Sequence, residues 1–387
     1  MIGIGEDGLD GLSDASRRAL DQAEIVFGGP RHLELAGIDG RGQPWPVPFS
    51  VQPVLEQRGR RVAVLASGDP FWHGVGGTLA SLLERSDWQC FPAPSCMSLA
   101  AAEMGWRLEH SVTLALHAAP FEQLLPHLAP GAQILCTLRD GDAPAALAEW
   151  LSARDLGATH IHVLEALGGP RQRGRSARAD DFDLSDIAAP VVVALEPSAA
   201  LLFAAPGRPI DLFAHHGQIT KPPMRALTLA ALAPRPGELL WDIGAGSGSV
   251  SVEWALAAPG ARSCAIEPRA DRCDQIRDNA ARFGLSTRVQ LVPGQAPEAL
   301  ADLPTPQAVF IGGGVNAEML QHLWQILPRG TRLVANAVTL DSQALLITWH
   351  GTHGGELLKI DLAHAVPLGR MQGWQAVRGQ LQWSVTR

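Results

Sequence analysis

Short apolar runs of four to six residues, separated by longer amphipathic stretches, recur along this sequence, and that alternation commits the chain to α/β architecture with a mainly parallel sheet. The pattern occurs as two series. The first is predicted to place strands at residues 1–4, 61–66, 134–138 and 161–164, and to close near 191–195. The second is predicted to place five parallel strands at 239–243, 263–267, 289–292, 308–311 and 332–336. A helix predicted over 269–283 stops at Gly284, a residue suited to the left-handed cap after a helix. Strands near 356–362 and 374–385 have no helix between them and are expected to pair antiparallel at the sheet edge.

A chain of 387 residues exceeds one ordinary core, so at least two domains are expected. We place them at 1–200 and 210–387, joined by a linker at 201–209 that is rich in Ala, Pro and Gly. The formal charge is −8, divided unevenly: 15 Lys+Arg against 25 Asp+Glu up to residue 205, and 16 against 14 beyond it. An acidic first half argues against a nucleic-acid partner, whose footprint is a basic face. Glu6 and Asp7 stand where a secretion signal would carry basic residues, and no stretch offers the roughly 20 clean apolar residues of a membrane span. A cytoplasmic protein is expected, with no membrane partner and with self-association into a homo-oligomer. The five cysteines are scattered without metal-ligand spacing, so no metal is expected. The run Arg171, Arg173, Arg175 and Arg178, followed by Asp180, Asp181 and Asp183, reads as a solvated loop or helix end.

The most informative segment is Leu239-Leu240-Trp241-Asp242-Ile243-Gly244-Ala245-Gly246-Ser247-Gly248-Ser249, a strand, a glycine-rich turn and a helix start. Glycines admit a ligand close to the backbone, and the helix start offers amide donors. A dinucleotide fingerprint requires glycine where this chain has Ser249, which disfavours a nicotinamide-dependent oxidoreductase. S-adenosylmethionine carries no phosphate but bears an ammonium and a sulfonium, so the acid Asp242 directly before the turn suits it. Glu267, ending the next strand 25 residues on, is placed to accept ribose hydroxyls. Pro293-Gly294-Gln295-Ala296 is expected beside the adenine, with Phe310 to Gly314 on the same carboxyl edge.

In the first half, Gly3-Ile4-Gly5-Glu6-Asp7-Gly8 follows a strand but carries acids where a phosphate cradle needs small residues. Ser67-Gly68-Asp69-Pro70, with the aromatics and glycines of Phe71 to Gly77, makes a roomy loop suited to a flat ligand or simply a turn. Pro94-Ser95-Cys96-Met97-Ser98 forms a third such loop.

Taken with these residues, the whole chain resembles the precorrin-6Y C(5,15)-methyltransferase (decarboxylating) family of cobalamin biosynthesis. Gly3 to Gly8, Ser67 to Gly76 and Pro94 to Ser98 resemble motifs of the two-lobed tetrapyrrole methylase fold. Gly217-Gln218-Ile219-Thr220-Lys221, Arg225 and the Trp241 to Trp254 block resemble a Rossmann-like methyltransferase with a mostly parallel seven-stranded sheet. The resemblance implies one S-adenosylmethionine site per domain. Gly5, Ser67, Gly68, Asp69 and Ser95 would serve the first; Thr220, Asp242, Gly244, Ala245, Gly246, Ser247, Gly248, Glu267, Gln295 and Ala296 the second. It also implies methylation of a small tetrapyrrole, precorrin-6Y, at ring carbon 5 by the first domain. The second domain would methylate ring carbon 15 and decarboxylate the carbon 12 acetate, giving precorrin-8X. Gln295 departs from the Asp that many such domains place against the adenine amino group.

The substrate bears many carboxylates, so Lys221, Arg225 and Arg332 are candidate substrate contacts. Thr220 touches the cofactor or caps a helix. His215 and His216 read as solvated loop residues, Asp7 and Asp69 either move protons or shape their turns, and no catalytic acid or base is assigned. The competing function is an S-adenosylmethionine-dependent methyltransferase acting on protein or nucleic acid.

Overall fold

The structure, a computed structural model, describes residues 1–202 and 205–387. Its contacts divide the chain into two compact units, Met1–Leu201 and Leu202–Arg387. Positions 203 and 204 of the expected linker lie outside the described residues. Beyond them the segment is anchored rather than free: the amides of Gly207 and Arg208 both donate to the buried Glu253 carboxylate at 2.8 Å.

The first unit has two lobes. In the amino-terminal lobe β1 (Ile2–Ile4), β2 (Ile25–Gly28), β3 (Gly42–Pro44) and β4 (Val62–Ser67) form a parallel sheet in the order β1-β4-β2-β3. β1, β4 and β2 are mostly apolar runs covered on both faces, so Ile2, Ile4, Val26, Phe27 and Leu65 are buried. The second lobe holds β5 (Val112–Ala115), β6 (Ile134–Leu138), β7 (His160–Glu165), β8 (Arg173–Arg178) and β9 (Val191–Glu196), in the order β5-β6-β9-β7-β8. Only β5 and β6 pair parallel; the other three pairings are antiparallel, so the expected mainly parallel sheet fails in this lobe. The arginine run is not a loop or helix end but largely β8, an edge strand. Arg173 and Arg175 are two residues apart and share one face, where both guanidiniums bond Glu165, fully buried on the neighbouring β7. Arginines on an edge also deter further strand pairing.

The second unit is a seven-stranded sheet in the order β12-β11-β10-β13-β14-β18-β15. Its strands are β10 (Leu239–Ile243), β11 (Arg262–Glu267), β12 (Val289–Pro293), β13 (Ala308–Ile311), β14 (Arg332–Ala337), β15 (Glu356–Ile360) and β18 (Gln380–Thr386). The five expected strands run parallel, and the order reverses between β10 and β13, the switch point where doubly wound folds bind ligands. β18 does pair antiparallel with β15, but it sits inside the sheet, between β15 and β14. Between them the chain forms a separate hairpin, β16 (Ala363–Leu368) and β17 (Met371–Ala376), closed by the two-residue turn Gly369-Arg370. Trp374 therefore belongs to this hairpin and not to the last sheet strand. Trp241, Trp383 and Leu323 on one face and Trp254, Phe310 and Leu232 on the other are buried, which fixes the sheet between its helix layers.

Candidate active sites

In the second unit the strand-to-helix turn is built around three glycines with left-handed backbone, Gly244 (φ 68), Gly246 (φ 60) and Gly248 (φ 73). A side chain on Gly244 would come within 2.8 Å of the Gly313 carbonyl, so the loops after β10 and β13 meet backbone to backbone. Open space lies before Gly246, where an added carbon meets nothing within 4 Å. Helix Ser249–Ala257 follows, and Asp242 reaches its first turn: one carboxylate oxygen accepts from the Ser251 amide at 3.0 Å and hydroxyl at 2.7 Å. The other oxygen, Oδ1, is buried with no donor among the described residues. Burial pushes the Asp242 carboxyl up to about 6; the two Ser251 bonds act against the rise, and the nearby Glu267 charge adds to it.

Glu267 ends β11, adjacent to β10, and its carboxylate accepts from the Gly246 amide at 2.9 Å and the Arg269 amide at 3.1 Å. Both acids thus stand at the carboxyl edge, one under the glycine turn and one clamping it. Ser247 is buried, Ala245 half-buried, Ala296 buried and Gln295 exposed after β12. Thr220 is half-buried, while Lys221 caps helix Pro222–Leu232 with an exposed side chain. A buried residue that no sequence motif marks, Asn279, joins these parts. Its side chain bonds Ser247 at 2.8 Å and both backbone groups of Ala214, bringing the segment that leads to Thr220 beside the glycine turn. His215 accepts from the Gly217 amide and His216 is exposed, as loop residues do.

Two expected substrate contacts are corrected. Arg225 is fully buried; it pairs with the equally buried Glu253 at 2.8 Å and donates to the carbonyls of Thr220 and Arg208. It is a latch inside the second unit. Arg332 begins β14, at the amino edge opposite the site, and bonds Glu238 and the Leu232 carbonyl. Sequence spacing cannot distinguish an arginine aimed at a ligand from one aimed at a buried acid. Lys221, by contrast, lines a hollow of about 530 Å³ with Arg378 and His364, over an apolar floor that includes Met224 and Ile360. Neither Arg378 nor His364 belongs to a motif.

In the first unit a cleft of about 650 Å³ opens between the ends of β1 and β4 and those of β6 and β9. Gly5, Ser67, Gly68 and Ser95 line it, together with Trp45, Trp72 and Leu167. Gly68 is left-handed (φ 54), and a side chain there would strike the Pro94 carbonyl at 2.6 Å, so two of the three motif loops cross in contact. The Ser95 hydroxyl accepts from the Ser98 amide as a helix cap. Asp69 is half-buried in the same loop, where one carboxylate oxygen accepts from the Phe71 amide at 2.8 Å. The cleft also holds Glu6, Arg31 and His32, of which the last two were not foreseen. They follow the apolar run of β2, whose only sequence signal is the Gly28-Gly29-Pro30 break after it.

Among the described residues no group of His, Cys, Asp or Glu is arranged to hold a metal, and no helix is long and apolar enough to cross a membrane.

A cleft on the first α/β unit and, on the second, a glycine turn flanked by the acids Asp242 and Glu267 fit a two-domain methyltransferase class, and the comparisons agree. Residues 1–183 match the family described as Tetrapyrrole (Corrin/Porphyrin) Methylases, and residues 211–387 match the Precorrin methyltransferase domain. A protein from Sinorhizobium sp. named precorrin-6Y C(5,15)-methyltransferase [decarboxylating] is 45% identical over 396 residues, covering 100% of this chain and 96% of that one. One of the same name from Mycobacterium tuberculosis is 39% identical, covering 100% and 99%. A protein from Pyrobaculum calidifontis named probable cobalt-precorrin-6B C(15)-methyltransferase (decarboxylating) is 39% identical over 145 residues, 36% of this chain and 74% of that one. This chain belongs to the precorrin-6Y C(5,15)-methyltransferase (decarboxylating) family.

Proposed function

We propose that the chain methylates precorrin-6Y at ring carbons 5 and 15 and decarboxylates the carbon 12 acetate, giving precorrin-8X. The first domain, 1–200, acts at carbon 5; the second, 210–387, acts at carbon 15 and removes carbon dioxide. Both use S-adenosylmethionine, which supplies an electrophilic methyl group when bound. The observation that carries the reading is the buried, unpartnered Oδ1 of Asp242 beside an open glycine turn. A phosphate would be repelled there, whereas a cation relieves an uncompensated buried acid.

In the second domain Gly244, Ala245, Gly246, Ser247 and Gly248 give close backbone approach, Asp242 receives the cationic end and Glu267 the ribose. Gln295, Ala296 and Thr220 flank the adenosine. In the first domain Gly5, Ser67, Gly68 and Ser95 line the cofactor's side of the cleft. An electron-rich ring carbon needs little activation, so the residues act mainly by holding it in line. Lys221, Arg378 and His364 receive substrate carboxylates, and the macrocycle accepts the electron pair released with carbon dioxide. That a relative matching about a third of this chain is named for carbon 15 and decarboxylation supports giving both steps to one domain. A cytoplasmic location, no nucleic-acid partner and a homo-oligomer complete the reading; the exposed Leu368, Met371 and Trp374 of the β16–β17 hairpin suit a contact between copies.

The test is incubation with precorrin-6Y and methyl-labelled S-adenosylmethionine followed by mass spectrometry. Gain of two labelled methyls with loss of carbon dioxide is expected; cofactor binding with an unchanged tetrapyrrole would return the protein or nucleic-acid methyltransferase to the front.

A further inference from the structure

The first-unit cleft contains a hydrogen-bonded chain that the account above leaves idle. Arg31 and His32 open the short helix Pro30–Leu35, and Ser67 ends β4. The Arg31 guanidinium donates to Ser67 Oγ at 2.8 Å, and Ser67 Oγ lies 2.8 Å from His32 Nε2. Arg31 also approaches that same Nε2 at 3.2 Å. Assigning the Arg31 contact as a guanidinium donation makes Nε2 an acceptor; that tautomer puts the ring proton on Nδ1, which is buried with no partner among the described residues, and turns the Ser67 hydroxyl proton toward His32. Ser67 Oγ keeps one lone pair, and its residue is exposed to the cleft. Behind the chain, Glu6 pairs with Arg31 and with Arg171 at 3.3 Å, compensating the arginine charge.

Resting on the proposed methylation of carbon 5, the substrate's own chemistry supplies a task for this chain. When ring electrons form the new carbon–carbon bond, carbon 5 carries both hydrogen and methyl, conjugation is interrupted and the ring is cationic. The C–H bond must then break, its electron pair restoring conjugation and its proton leaving. We infer that Ser67 and His32 are the proton relay for this step: Ser67 Oγ takes the carbon 5 proton as its hydroxyl proton passes to His32 Nε2. His32 becomes imidazolium and returns its proton to water on product release. The inference gives the Ser67 hydroxyl to the substrate and leaves its backbone to the cofactor.

Burial first, and the Arg31 charge second, hold the His32 pKa down to about 4, so the acceptor stays neutral at working pH. A base that weak suffices because a C–H on a cationic ring is a strong acid. The charged group facing His32 is Arg31; Glu6, Arg171 and the Cys96 thiol lie around Arg31, and His73 and His117 line the same cleft.

The test is a single turnover of the full chain with S-adenosylmethionine and precorrin-6Y deuterated at carbon 5. Mass spectrometry follows methyl gain and deuterium loss, and stopped-flow absorbance follows ring conjugation. In the parent chain both changes keep pace. His32→Gln and Ser67→Ala are expected to accumulate a methylated, deuterium-retaining species with interrupted conjugation, deuterium loss slowing about 10²-fold. Ser67→Thr is expected to restore it. Methyl gain and deuterium loss slowing together, or neither changing, would overturn the relay alone; no methyl at carbon 5 in the parent chain would overturn the reaction it rests on. A readout without turnover is ¹⁵N resonance of the histidines, assigned by difference from His32→Gln. His32 is expected neutral with the proton on Nδ1 at pH 7, and an imidazolium there contradicts the relay.

Discussion

The two sites serve one reaction class by different constructions. In the second unit the proposed cofactor site is local: one turn between β10 and helix Ser249–Ala257 supplies the glycines, and the acids come from the ends of two adjacent strands. In the first unit the proposed site is assembled from segments as far apart in sequence as Gly5 and Val192, and Gly68 allows the Pro94 loop to lie against it. Its polar chemistry comes from neutral and paired groups rather than a lone buried acid. A contiguous site advertises itself in sequence, and an assembled one does not.

The largest effect expected from breaking this comparison falls on Arg225. Arg225→Met leaves the Glu253 charge buried without its partner and is expected to cost the second unit roughly 3–5 kcal/mol. In urea unfolding the second unit's transition moves and the first unit's stays. If Arg225 were a substrate contact instead, stability would hold and only KM would rise.

Next, Glu267→Ala removes the acceptor at the second site alone, and cofactor affinity there is expected to fall about 10- to 100-fold from loss of charged hydrogen bonds. Calorimetric titration should pass from two sites to one; loss of both would mean that the sites are not independent.

Asp242 predicts a pH dependence confined to the second site. Its folded pKa of about 6 lies above the ordinary 3.8, so the cofactor-free unit prefers the acid protonated. Relative stability from this group is present below about pH 4 and is lost as pH rises through 6. A cationic ligand needs the carboxylate, so affinity should fall about tenfold per pH unit below 6 and level off above it. Asp242→Asn should abolish that slope while raising the Tm of the cofactor-free second unit at pH 7 and not at pH 4. A slope that persists in the variant contradicts the assignment. The smallest effect expected is Gln295→Asp, an added acceptor for the adenine amino group tightening the second site by about 1 kcal/mol in the same titration.

How much of this was legible follows the same division. The five parallel strands of the second unit are short, mostly apolar runs, largely buried except at the β12 edge, and Gly244, Gly246 and Gly248 mark the turn after β10. The sequence reading therefore anticipated their positions. β8 was misread because its alternation is Arg with small residues, and nothing in that pattern ties the arginines to Glu165, 8 and 10 residues earlier on β7. The β16–β17 hairpin was merged into a neighbouring strand because it is exposed and shows no core-facing period. Arg225 and Arg332 were misplaced, and Arg31, His32 and Asn279 passed over, for one reason: a polar side chain's direction depends on its tertiary partner.

The central claim is that two independent sites divide the reaction. It is tested most directly by mass spectrometry of the tetrapyrrole formed from precorrin-6Y and methyl-labelled S-adenosylmethionine by the intact chain and by Glu267→Ala. With S-adenosylmethionine held near the intact chain's Kd, two labelled methyls and loss of carbon dioxide are expected for the intact chain, and for the variant predominantly one labelled methyl, at carbon 5, with the acetate retained. A variant that still places both methyls, or that places none, would contradict it.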